Sequence, residues 1–294
     1  MKTRRVSTNS GCIVTRKYRS VSVTTSYWRP GEDYIKRILD AVKDKVEDGD
    51  FVTVSDKALS TAFGNIVDES QIRPSMLARF AAKYWMRYIW VYVLGPLCHL
   101  RKKTIQQLRM YPTNEGSAHK QLALRYAGIL QTLMQGSEGG IDGSNLPHSY
   151  VSLPLENIQQ TAQTIRNRIG SELSKSVTVV IVDTDKTYSF RGFHFTPRPR
   201  PIKGIHSFGG FLAYLFGRFF RMQQRATPVA ISGSEIDTEE ALEIAKIANR
   251  SRGVGAGRTV WDMAETFNVS LTSVTWDMLD KVEHQPIVII KLHK

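Results

Sequence analysis

Two acidic signatures carry most of the chemical content of this chain. One is Glu138-Gly139-Gly140-Ile141-Asp142-Gly143-Ser144-Asn145 and the other is Val179-Val180-Ile181-Val182-Asp183-Thr184-Asp185. Each sets an aspartate beside hydroxyl or amide oxygens in a loop or at a strand end. Hard divalent cations take oxygen ligands, commonly one or two carboxylates together with phosphate oxygens. The apolar run Val177 to Val182 reads as a buried strand that delivers Asp183 to the edge of a sheet. Clefts at the carboxyl ends of such strands are where α/β proteins often bind ligands. Asp and Thr are also ordinary turn residues, so this motif alone fits a strand-ending turn as well.

A third segment runs from Ser55 to Gly64 and contains Asp56, Lys57 and Ser60. Hydroxyls, free backbone amides and one ammonium can together cradle a phosphate. A structural turn capped by Ser and Asp is the plainer reading of the same residues. The fragment Gly253-Val254-Gly255-Ala256-Gly257 follows a helix and not a strand, the wrong context for a dinucleotide loop, and reads as a flexible turn. The seven histidines include no helical pair with a carboxylate, which argues against a zinc protease. Ser207 and Ser232 lack a nucleophile-elbow context and read as turn serines.

The elements that must hold these groups follow from hydrophobic period. Val21 to Thr25 has strand patterning, and Pro30 to Asp33 is a turn leading into a helix over Tyr34 to Val46. Strands are expected at Phe51–Ser55, Val177–Val182, Pro228–Ile231 and Pro286–Leu292. Helices are expected from Ser75 until Gly95-Pro96, and over Lys120–Met134, Asn157–Ile169, Thr238–Asn249, Trp261–Phe267 and Thr275–Val282. Pro112–Ser117 and Gly136–Asn145 read as loops, and Pro197–Pro201 as a proline-arginine turn. Strands and helices mix without strict alternation, which gives an α+β class.

With 294 residues, 41% hydrophobic and 23% charged, the chain is long enough for one large domain or two modest ones of ordinary globular composition. Cys12 and Cys98 have neither metal-type nor disulfide-framework spacing, so a cytoplasmic setting is expected. The net charge of +13 invites a nucleic-acid reading. Its local concentrations, Lys2–Arg5 with Arg16–Arg19, Arg101–Lys103 and Arg198–Arg200, do not interleave with aromatics as a base-stacking platform would. That pattern argues against nucleic acid and suits a polyanionic small molecule. No secretory signal pattern is expected. In Met76–Leu100 the apolar core Tyr88–Leu97 is too short to span a bilayer, and Arg79, Lys83 and Arg87 mark one polar face, so a buried or dimer-facing helix is expected.

In their order and spacing these motifs resemble the coenzyme F420-0 gamma-glutamyl ligase family, in a divergent archaeal-type form. The stretches that carry the resemblance are Pro30–Asp33, Gly49-Asp50, Asp56–Gly64, Ile141–Asn145, Val179–Thr184, Arg191-Gly192 and Tyr214–Arg218. The resemblance implies a two-domain mixed-sheet α+β fold in an intertwined homodimer, with residues 1–253 as the ligase-like region and 254–294 as a helical and strand extension. It implies a ligase in which GTP phosphorylates a carboxylate of F420-0 and the amine of L-glutamate displaces phosphate, with Mg²⁺ or Mn²⁺. It implies catalytic roles for Asp142 and Asp183, and metal ligation by Asp142, Asp183, Thr184 and Asn249. It implies nucleotide contacts from Asp56, Lys57 and Asn145, which Ser60 joins from the phosphate-cradle reading. Three departures stand out: a family lysine is Thr61, a family glutamate is Gly143, and a family Phe-Gly-Arg is Asp185-Lys186-Thr187. Losing one lysine removes a charge that would meet triphosphate; Lys186 can restore it, and Asp185 can add a metal ligand. The alternatives left open are a branch ligating another phosphorylated acid, and a non-catalytic ligand- or nucleic-acid-binding protein on the same scaffold.

Overall fold

The computed structural model describes residues 17–136 and 138–293. Lys2–Arg5, Arg16 and Cys12, named above, lie outside the described residues. The strands are β1 (Tyr18–Thr25), β2 (Phe51–Ser55), β3 (Ile66–Asp68), β4 (Tyr150–Ser152), β5 (Thr178–Phe190), β6 (Phe193–Thr196), β7 (His206–Ser207), β8 (Gln223–Ser232) and β9 (His284–Leu292). One mixed sheet runs β1-β9-β2-β5-β6-β7, with β8 on the other edge of β5, and β3 pairs with β4 separately. Among the described residues only β2–β5 and β6–β7 are parallel. Helices are packed on the sheet without a regular βαβ repeat, so the α+β, mixed-sheet expectation stands.

The apolar spacing of the sequence accounts for the layers. Ile35, Ile38, Leu39 and Val42 fall on one face of the helix Tyr34–Val42 and are buried. Its start is capped by Asp33, which accepts from the Lys36 backbone N–H at 3.0 Å. That helix and the helix Ile158–Leu173 pack on one face of the sheet against Val52, Val54, Val179, Ile181, Ile287 and Ile289. The helix Thr238–Ser251 covers the other face, against Val180, Val182, Val288 and Ile290. Strands covered on both sides read as continuous apolar runs, and each fully buried aliphatic side chain contributes about 1.5–3 kcal/mol. The carboxy-terminal strand β9 lies between β1 and β2, at the centre of this core.

Several expectations are corrected. β5 does not stop at Val182 but runs on to Phe190. Thr187 and Tyr188 are good strand formers, and the buried hydroxyl pair Thr187–Thr227 at 2.8 Å ties the second half to β8. The segment after Ser55 is no loop: Asp56–Ala62 is a helix that follows β2 directly. Helix begins at Thr113 inside the expected Pro112–Ser117 loop. The expected helix Lys120–Met134 is broken at Gly128, which has φ +91°. β8 starts at Gln223, before the expected Pro228. The helix after Ser75 continues past Gly95-Pro96 to Leu97, with a π-helical section over Ala81–Leu94. There Met86 and Trp90 are buried, and Trp85 and Trp90 both donate to the Leu133 carbonyl, at 2.9 and 2.7 Å. Among the described residues no helix is long and apolar enough to cross a membrane.

Candidate functional site

The site forms where the pairing along β5 changes partner. On one edge, β2 pairs with β5 as far as Val182, and pairing with β6 begins only at Tyr188. On the other edge, the register with β8 shifts between Asp183 and Lys186. Bulges of this kind re-aim side chains. Asp183 therefore leaves the regular ladder at the point where Ser55, opposite Val182, ends β2 and Asp56 opens the next helix. Two carboxylates thus arrive together where the parallel pairing of β2 with β5 ends.

Each carboxylate meets a cation. Arg198, only 3% exposed, lies with Nη2 2.6 Å from Asp56 Oδ2 and Nη1 2.7 Å from Asp183 Oδ2. Lys57, the residue after Asp56, places Nζ 2.8 Å from Asp142 Oδ2 and also donates to Ser144, at 2.8 Å to its carbonyl and 2.6 Å to its hydroxyl. The Ser144 backbone N–H donates to Asp142 Oδ1 at 2.7 Å. The loop carrying the first acidic signature is thereby fastened to the helix carrying the third. Burial raises the Asp56 carboxyl to about 6, partly offset by Arg198 and reinforced by Asp183. Burial also pushes Asp142 up, but Lys57 more than reverses this and leaves it below the ordinary aspartate value. Arg252 is pulled down by burial, with Asp183, Asp142 and Asp56 opposing the shift. Lys186 is lowered by burial against Asp185 and Asp183. The groups that act on one another here are thus Asp56, Asp142, Asp183 and Asp185 with Lys57, Lys186, Arg198 and Arg252.

Asn145 has a different surrounding. It sits at φ +58°, accepts from the Ala256 backbone N–H at 2.7 Å and from the Tyr27 hydroxyl at 3.1 Å, and donates to the Gly257 carbonyl at 2.9 Å. A Cβ on Gly255 would come within 2.4 Å of Asn145 Oδ1. The glycine fragment that read as a flexible turn is therefore packed on Asn145, and close approach explains the glycine. Ser60 is buried on the helix Asp56–Ala62, with no hydrogen-bond partner for its hydroxyl. Asn249 lies on the helix Thr238–Ser251 and accepts from Arg252 at 3.2 Å.

A cavity of about 1160 Å³ opens beside these residues. Asp142, Ser144, Thr184, Asp185, Lys186 and Arg258 line one part of it, and Glu69, His119 and Glu138 another. His119 is held between Glu69 at 2.6 Å and Glu138 at 2.9 Å, and Lys120, fully buried, pairs with Glu138 at 2.5 Å. Burial would raise the Glu138 carboxyl, but Lys120 and His119 hold it at about 2. This cluster pins the start of the Asp142 loop. Sequence reasoning missed it and missed Arg198 too: Glu69 and His119 stand far apart in the chain, and Arg198 was absorbed into a proline-arginine turn. Arginine among prolines shortly after an acidic strand is the one local signal.

Among the described residues no group of three or more His, Cys, Asp and Glu side chains could hold a metal ion. Mg²⁺ commonly needs no such cage, since one or two carboxylates and substrate phosphates suffice. The donor set fits that mode. Asp56 Oδ1 is buried with no hydrogen-bond partner, and Asp142 and Thr184 face the cavity.

Comparison with known proteins identifies the family. Residues 22–259 match the family model described as F420-0:Gamma-glutamyl ligase. The chain is 34% identical over 286 residues to the uncharacterized protein MJ1361 of Methanocaldococcus jannaschii, covering 93% of this chain and 96% of that one. The chain belongs to the F420-0:gamma-glutamyl ligase family.

Proposed function

We propose that this protein is an acid–amine ligase that uses GTP and a divalent cation to join L-glutamate to the carboxylate of F420-0 or of a related acid. The observation that carries the reading is the ion-paired set Lys57–Asp142 and Asp56–Arg198–Asp183, gathered where β2 ends against the middle of β5, beside a cavity wide enough for a cofactor-sized acid. In that chemistry a carboxylate oxygen takes the terminal phosphoryl group and the nucleoside diphosphate leaves. The amine nitrogen then bonds to the acyl carbon, the C–O bond to phosphate breaks, and the amine loses a proton.

Lys57 supplies a fixed positive charge for phosphate oxygens, and Lys186 a second one at the cavity wall. Asp142 and Asp183, with Thr184, would hold Mg²⁺ or Mn²⁺ brought in on the nucleotide, with Asn249 the more distant candidate. The ion's contribution would be to offset charge on the transferring group. Asn145 would act by fixing the loop 254–257 over the nucleotide end, and Ser60 by offering its free hydroxyl.

The family's homodimer is part of the same reading. Tyr88, Tyr92 and Val93 are each more than half exposed along the π-helical section, and apolar patches of this extent mark contact surfaces. The test is phosphate release from GTP in the presence of L-glutamate and either F420-0 or a panel of other acids. Release that requires both acid and amine supports the ligase. GTP hydrolysis indifferent to both, or none at all with GTP or ATP, opposes it.

A further inference from the structure

Arg198 touches both carboxylates that stand where the β2–β5 pairing ends, Asp56 and Asp183, at 2.6 and 2.7 Å. A divalent ion takes carboxylate oxygens at about 2.0–2.6 Å. It would claim the same Oδ2 atoms at nearly the same range, and two cations there would repel strongly at low effective dielectric.

The position of the guanidinium is built by several segments. The Arg198 backbone N–H donates to Thr196 Oγ1 at 3.2 Å, and Gln131 Nε2 donates to the Pro197 carbonyl at 2.6 Å. The loop of the first acidic signature makes room for it with Gly140. That residue has φ +94°, and a Cβ there would stand 1.7 Å from Arg198 Nη1. Arg is suited to this place because its planar fork spans two carboxylates, which an ammonium cannot do equally well.

We propose that Arg198 is the resident cation of the Asp56–Asp183 pair and competes with divalent ions for it, so that the nucleotide-free protein binds such ions weakly. The inference rests on the reading above for the cation's demand on Asp183, and adds Asp56 because the same guanidinium joins the two carboxylates. It concerns the step before nucleotide arrives, and it separates Arg198 from the residues that would ligate.

The test is Mn²⁺ binding to the nucleotide-free protein, followed by electron paramagnetic resonance of free Mn²⁺. Arg198→Leu is expected to bind Mn²⁺ about tenfold more tightly than wild type, within the usual range for two ligands coupled through shared groups. Adding Asp183→Asn to Arg198→Leu should remove that gain. A folded Arg198→Leu protein with wild-type Mn²⁺ affinity overturns the proposal. So does tight binding by wild type that Asp183→Asn abolishes. Should Arg198→Leu not fold, Arg198→Lys decides. Its point charge cannot fork to both partners, so a smaller gain is expected, and no gain overturns the idea. Addition of the β,γ-imido analogue of GTP to wild type should tighten Mn²⁺ binding. Its failure would count against the nucleotide reading and leave the competition, measured without nucleotide, standing.

Discussion

At the scale of single residues, the acidic groups differ in what their partners allow. Asp183 shares a buried guanidinium with Asp56, whereas Asp142 is tied to Lys57 and to its own loop. Asp183→Asn keeps the shape and one oxygen but loses the charge. It is expected to lower ligation on the order of a hundredfold, the scale of one preorganised electrostatic group, while the thermal melt stays cooperative. Unchanged turnover by the folded variant would remove Asp183 from the chemistry. Lys57→Ala is expected to act differently, because an ammonium meets phosphate in ground and transition states alike. Calorimetric titration with GTP should show affinity reduced by about tenfold or more, the worth of one charge-assisted contact. Equal affinity would place the nucleotide elsewhere.

At the scale of elements, the Asp142 loop is held at its start by the Lys120–Glu138–His119 cluster. Glu138 sits at about 2, below its ordinary 4.5. A depressed carboxylate contributes stability that is complete above its unfolded value and is lost as pH falls from there through the folded value. Glu138 should therefore add acid sensitivity between pH 4.5 and about 2. Glu138→Gln should flatten that window and cost about 3–5 kcal/mol at neutral pH, since it strands a buried Lys120. Urea unfolding across pH measures both, and an unchanged acid limb would contradict the assignment. The same elements mark what the sequence made legible. Helical spacing at Ile35–Ile38–Leu39–Val42 and the Val/Ile runs of β2, β5 and β9 were readable, because their burial is written in local period. The family signatures likewise named Asp56, Lys57, Asp142 and Asp183, which the fold brings into the ion pairs Lys57–Asp142 and Asp56–Arg198–Asp183. The continuation of β5 past Asp183 was not readable, because a bulge held by Thr187 and Thr227 depends on a partner forty residues on. Nor was the helix after β2, whose polar start read as a turn. Arg198 and His119 owe their roles to distant partners, and no short window of sequence contains those.

At the scale of the whole molecule, two features ask for partners. The row Tyr84, Tyr88 and Tyr92 stacks ring on ring along one helix and stays largely exposed. Light scattering at micromolar concentration is expected to give a dimer, and Tyr88→Glu with Tyr92→Glu a monomer. A monomeric wild type would contradict this. The other feature is the cavity, beside which the carboxylates and cations of the site are gathered. The central claim is that a carboxylate bound there is activated by phosphorylation. The most direct measurement uses an acid substrate labelled with ¹⁸O in its carboxyl group, incubated with GTP, L-glutamate and Mn²⁺. Mass analysis of the released phosphate should then find one ¹⁸O per phosphate, matched by one amide formed. Phosphate free of ¹⁸O, or amide formed without phosphate release, would contradict the account.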